Sequence, residues 1–178
     1  MGVVNDLFAF VPGIITTRLR ALGLIDSSGV AATNANLGKI SCVTAPAGVS
    51  VDDQTHSDIT WTVEVSDALN GVDVSGAPTK AFTCTEAGTY MAIVTGGMEN
   101  VGGASEWGLY VSHYDSSGAN QAGGTSNFGS IQAAGNSTWT TTWIGTMAAG
   151  DYLKGRIYHS SNGARNRNGM RMTITRIR

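Results

Sequence analysis

The densest group of side chains able to do chemistry is the run Asp52-Asp53-Gln54-Thr55-His56-Ser57-Asp58. Its carboxylates and imidazole could gather around a metal ion. No second half of such a site accompanies it, so the run reads as a solvated loop leading into Ile59, and no metal or other cofactor is expected. His113 and His159 stand beside Tyr114 and Tyr158, and His113, Asp115 and one of many serines could be written as a hydrolase triad. Triads are recognised by geometry, and no nucleophile-elbow sequence is present. The chain is therefore not expected to be an enzyme. Cys42 and Cys84 show no metal-ligand spacing. Each lies in a short strand-like stretch and reads as a buried free thiol, with a single disulfide left open.

The elements that would position these groups are strands. Among the 178 residues only 13% are charged and 24 are Gly, and the polar remainder is mostly Ser, Thr and Asn, which suit turns and half-exposed strands. Short β-branched and aromatic runs separated by turn clusters predict strands at about 40–44, 58–65, 79–84, 88–95, 106–114, 127–132, 137–147, 151–159 and 169–177. In Ile59-Thr-Trp61-Thr-Val63-Glu-Val65 the apolar residues alternate, which predicts one strand with a core face and a wet face. The final run, Met170-Arg-Met172-Thr-Ile174, alternates likewise and is expected in the middle of a sheet. Residues 115–126 and 160–169 are so rich in Gly, Asn and Ser that they are expected to be exposed, mobile loops.

Ahead of the strands lies a different kind of sequence. Leu7, Phe8, Phe10, Val11, Ile14, Leu19 and Leu22 belong to an apolar stretch with near-helical spacing, interrupted at Pro12-Gly13. It reads as an amphipathic, partly helical arm that must bury its apolar face against its own domain, other copies or another protein. Residues 26–38 are small and polar and read as a linker. The expected organisation is thus an arm and linker at 1–38 and a β domain at 39–178. The start of the chain lacks a basic signal region, and Arg18 and Arg20 interrupt the apolar stretch, so a soluble, untargeted protein without membrane contact is expected.

Charge is lopsided. Residues 151–178 hold 7 of the 11 Lys/Arg and 1 of the 13 Asp/Glu, against an overall net charge of −2. Arg156, Arg165, Arg167 and Arg171 could form a basic patch at one end of the domain; the plain alternative is a solvated face. Without aromatic interleaving in their loop and with a pI near 5.8, no nucleic acid is expected as partner. Trp61, Trp107, Trp139 and Trp143 all fall in strand-like runs, where they serve a core, a subunit interface or a sugar-binding platform.

The stretch Phe82-Thr-Cys84-Thr-Glu-Ala-Gly88-Thr-Tyr90 resembles the signature of the complement globular-head and tumour-necrosis-factor-like superfamily, in which Phe, five residues, Gly, one residue and Tyr open a core strand. Met147-Ala-Ala-Gly150-Asp151-Tyr-Leu153 is similar to the family's turn before its penultimate strand. Position 92, aromatic in the family, is Ala here. The resemblance spans roughly residues 58–178 and implies an all-β jelly-roll sandwich that forms homotrimers, with Phe82, Tyr90, Trp107 and Tyr110 as candidate trimer-interface residues. With a docking arm in place of a collagen stalk, the chain looks similar to bacteriophage virion proteins. The expectation is a trimeric capsid decoration or cement protein, located in the virion, whose arm docks on the major capsid protein or another virion protein. The alternative is a fibre head that binds a receptor or glycan through loops 115–126 and 160–169.

Overall fold

The computed structural model describes residues 39–76, 78–99, 105–121, 126–131 and 137–177. The expected arm, Leu7 to Leu22, and its linker lie outside them. In chain order the strands are β1 (Ile40–Ala45), β2 (Val49–Val51), β3 (Ser57–Asp58), β4 (Val63–Asp67), β5 (Lys80–Thr83), β6 (Gly88–Met98), β7 (Ser105–Tyr114), β8 (Ser126–Ile131), β9 (Ser137–Met147), β10 (Tyr152–His159), β11 (Arg165–Arg167) and β12 (Met170–Arg176). They form two antiparallel sheets. The seven-stranded sheet runs β4-β1-β12-β6-β9, with β11 and then β2 continuing from the far end of β6. The five-stranded sheet runs β10-β7-β8, with β3 and β5 both pairing β10, at opposite ends of that strand. This is the all-β jelly-roll sandwich expected from the sequence. The final strand does lie in a sheet interior, between β1 and β6.

Alternation places the core. Along β6, Tyr90, Ala92 and Val94 are buried while Met91, Ile93 and Thr95 are half-buried on the other face. Along β10, Leu153, Ile157 and the Cα of Gly155 face the interior and Lys154, Arg156 and Tyr158 face out. The inward rows of the two sheets meet in one cluster that includes Phe82, Leu109, Leu153 and Met172. The expected strand at 58–65 is corrected, because the chain changes sheets there. Ile59 N donates to Gly155 O of the five-stranded sheet at 2.8 Å, and three residues later Thr62 N donates to Thr44 O of the seven-stranded sheet at 3.0 Å. A strand that crosses between sheets loses its phase. Ile59 and Trp61, inside the crossing, are buried, whereas Val63 and Val65 beyond it are each 53% exposed.

Two short strands, β2 and β11, have no counterpart among the predicted ones. β11 corrects the exposed loop expected at 160–169: Arg165, Asn166 and Arg167 pair in register with Val51, Ser50 and Val49. A backbone ladder needs no apolar side chain, so Arg-Asn-Arg gives no periodic signal. Gly88 opens β6 opposite Met147, and its φ is not positive, in contrast to Gly150 in the turn after β9 (φ 92°).

Trp61 packs closely against β10. A Cβ on Gly155 would stand 2.7 Å from Trp61 Cζ2 and 3.0 Å from Ile59 Cδ1. Trp61→Ala should therefore lower unfolding free energy by about 3–5 kcal/mol through lost burial and a residual cavity. Gly155→Ala should lower it by about 1–3 kcal/mol through overpacking. Urea unfolding checks both, and a smaller loss for either would mean the crossing is not closely packed.

Candidate functional site

The two outward faces of the sandwich differ sharply in chemistry. On the seven-stranded sheet, strand registers define three rows: Val63, Thr44, Arg171, Thr95 and Thr140; then Cys42, Thr173, Ile93 and Thr142; then Ile40, Thr175, Met91 and Ile144. Arg171 is the one charged side chain in these rows. Its Nε points at Cys42 Sγ, 3.1 Å away, and helps bury that thiol. Thr95 and Thr140 join hydroxyl to hydroxyl at 3.1 Å. Large apolar groups remain uncovered: Ile144 is 59% exposed and Val63 53%. A face of Thr, Ile, Val and Met with a single charge is inexpensive to desolvate, which is a property of a protein contact surface.

The five-stranded sheet presents the opposite character. Across β7, β10 and its flanking strands the outward rows are Tyr114, Tyr152 and Thr83; then Ser112, Lys154 and Lys80; then Tyr110, Arg156 and Asp58; then Gly108 and Tyr158. Asp58 accepts from Lys154 Nζ at 2.6 Å and forms an ion pair with Arg156, Nε to Oδ1 at 3.0 Å. Tyr114 and Tyr152 stack with ring centroids 5.1 Å apart and planes 7° from parallel. His56 stacks on Tyr158 and meets Tyr110 edge-on. Burial and the nearby Arg156 guanidinium hold the His56 pKa below its usual value. Burial, with Tyr158 beside it, pushes the Tyr110 phenol up.

The groups that suggested catalysis or metal binding are otherwise engaged. In the Asp52–Asp58 run, Asp58 is taken by Lys154 and Arg156 and His56 by the tyrosines. Among the described residues no three His, Cys, Asp or Glu side chains are placed to hold a metal ion. His113 pairs with Asp151, Nε2 to Oδ2 at 2.9 Å, rather than with Asp115. Asp115 instead closes its own turn, accepting from the backbone N–H groups of Ser117 and Ala119 and from Gln121. His159 is fully buried, its Nε2 donating to Val51 O at 2.9 Å. Cys42 and Cys84 are both buried free thiols, and burial pushes the Cys84 thiol above its usual pKa.

The predicted site residues do not converge. Phe82 and Tyr90 pack against each other inside their own chain, centroids 5.6 Å apart and each 1% exposed, with Tyr90 Oη donating to Glu86 O. Trp107 is buried against Trp139. These three have almost no surface to offer a neighbouring copy; of the expected trimer set only Tyr110 faces outward. The four arginines are not one patch either. Arg156 stands on the five-stranded sheet, Arg165, Arg167 and Arg171 on the other, and Arg167 is 3% exposed, its pKa lowered by desolvation. Trp61 and Trp143 are core residues as well, so no tryptophan platform forms among the described residues. What sequence reasoning missed is the pair of outward faces. One signal was present: in Tyr152-Leu-Lys154-Gly-Arg156-Ile-Tyr158 every second residue is aromatic or basic.

These sheets, their antiparallel wiring and their shared core define a jelly roll of the tumour-necrosis-factor-like kind. Murine APRIL matches with a TM-score of 0.53 and 13% identity, over 77% of this chain and 99% of that one. PRD1 vertex protein P5 matches with a TM-score of 0.50 and 14% identity, over 78% of this chain and 96% of that one. At such identities the likeness is one of fold. No protein-family model matches the chain, and no curated protein matches it in sequence.

The turn between β9 and β10, the segment with the sequence resemblance, is held by Asp151. Its Oδ2 accepts from Ala148 N at 2.9 Å as well as from His113, and its backbone O accepts from Cys84 N at 2.7 Å. Asp151→Ala strips the first two bonds and leaves His113 buried without its partner. It should cost about 3 kcal/mol, and Asp151→Asn clearly less. Thermal and urea unfolding decide between this and a turn held by backbone bonds alone, for which the two variants would unfold alike.

Proposed function

We propose that the chain is a virion structural protein, a homotrimeric decoration or cement protein that docks on a capsid through residues 1–38 and reinforces it with the jelly roll at 39–178. The observation that carries this reading is the outward face of the seven-stranded sheet. It offers Ile40, Val63, Val65 and Ile144 beside rows of threonine with Arg171 as their one charge. A second copy of this chain is the occupant that fits it. Completing the burial of each of these half-exposed side chains contributes about 1 kcal/mol, and a threefold arrangement uses the contact three times. The fold shared with PRD1 vertex protein P5, a vertex protein by name, supports the virion setting.

The loop-based receptor or glycan head is less well supported. Residues 115–121 are closed by Asp115, and 165–167 are paired into a sheet. Catalysis has no support either, since every candidate group serves the fold.

The test is the solution mass by light scattering, for the full chain and for a form lacking residues 1–25. Both should be trimers, and only the full chain should bind capsid shells. Ile144→Asp places a carboxylate in the contact and should weaken trimer assembly at least tenfold, about 1.4 kcal/mol. Monomers of the full chain at micromolar concentration would refute the reading.

A further inference from the structure

The outward face of the five-stranded sheet carries charge that its own fold does not balance. Lys154 and Lys80 are direct cross-strand partners, an arrangement of like charges that weakens a sheet unless something compensates. Asp58 compensates in part, but it also holds Arg156, so two cations share one carboxylate. Lys80 is the third cation. Its Nζ lies 4.2 Å from the centroid of the Tyr152 ring, and among the described residues no carboxylate pairs with it. Glu106 stands beyond the far end of the strip, two residues from Gly108 on β7. The centre of the strip is therefore positive, in the part of the domain where Tyr110, Tyr114, Tyr152 and Tyr158 are gathered.

The way the tyrosines are packed selects among anionic ligands. Tyr114 and Tyr152 stack on each other, Lys80 lies over the Tyr152 ring, and Lys154 Nζ lies 5.4 Å from the Tyr114 centroid. Bases of a single-stranded nucleic acid need free ring faces to stack on, and these faces are already covered. What the strip offers instead is ammonium and guanidinium groups with phenolic hydroxyls set between them. Ammonium groups suit carboxylates, and phenols suit the hydroxyl groups of sugars.

We propose that the strip formed by Lys80, Tyr114, Tyr152, Lys154 and Arg156 is a binding site for an acidic polysaccharide, a glycan chain bearing carboxylates along its length. The site lies on the sheet opposite the proposed subunit contact, so it stays open in a trimer. It goes beyond shell decoration and does not depend on it.

The experiment titrates the full chain by calorimetry with polygalacturonate, with neutral dextran and an oligothymidylate as comparisons. Polygalacturonate should bind, dextran should not, and the affinity should fall as salt rises. Lys80→Gln should weaken binding at least fivefold while holding or raising Tm, since it also removes the opposed ammonium pair. Tyr114→Phe, which keeps the ring and loses the hydroxyl, should weaken it about threefold. Arg171→Gln makes the same charge change on the other sheet and should leave affinity within twofold. Equal losses for Arg171→Gln and Lys80→Gln would overturn the site, as would dextran binding as well as polygalacturonate. Tighter binding of the oligothymidylate would overturn the ligand class. Loss of trimers or of shell docking would leave these readings untouched, so the two proposals fail separately.

Discussion

The space between two packed sheets is about 10 Å deep, and in this molecule a short stretch of backbone spans it from the edge strand β3 to the edge strand β4. Ile59 and Trp61 fill the passage over Gly155, where a side chain on β10 would collide with the indole. Much of the surface follows from that one contact. On one side the chain has just left β3, which sets Asp58 against Lys154 and Arg156. On the other side it enters β4, which sets Val63 and Val65 outward on the second sheet. A different point of crossing would remove the acid from one face and the apolar groups from the other.

The result is a sandwich with two unlike exteriors built around a single interior. Threonine-rich strands give one face little electrostatic character and a low desolvation cost, as a contact between copies requires. Tyrosine and lysine on alternate positions of β10 give the other a surplus of cations held in fixed geometry. Both faces are made by residues in rigid strands rather than in loops, so their groups are held in place before any partner arrives.

Much of the fold was legible in sequence because its strands alternate. Phe82, Tyr90 and the turn at Gly150-Asp151 pointed to the jelly roll and lie where that fold needs them. The change of sheet at 59–62 was hidden, since apolar alternation runs straight through it and only the hydrogen-bond partners change. β11 was hidden for the reverse reason: Arg165, Asn166 and Arg167 belong to a sheet through backbone alone. The site was less legible than the fold. In sequence Arg156 and Tyr110 belong to separate groups, because Tyr110, Arg156 and Asp58 become neighbours only through the pairing of β7, β10 and β3. The family resemblance implies a contact role for Phe82 and Tyr90; within the chain each is 1% exposed and packs on the other, as large aromatics in alternating strands do.

The position of β12 bears on how the molecule is made. Arg171 and Cys42 touch across 129 residues of sequence, and β1 reaches β6 only through β12. During synthesis β1 and β4 must therefore wait, as a detached hairpin-like pair with the β1 edge still open, until β12 has left the ribosome. Non-local closure of this kind makes folding slow and leaves a strand edge open to other chains meanwhile. In a cell producing many copies at once, the half-made sheet rather than the finished one is the stage most in need of a chaperone.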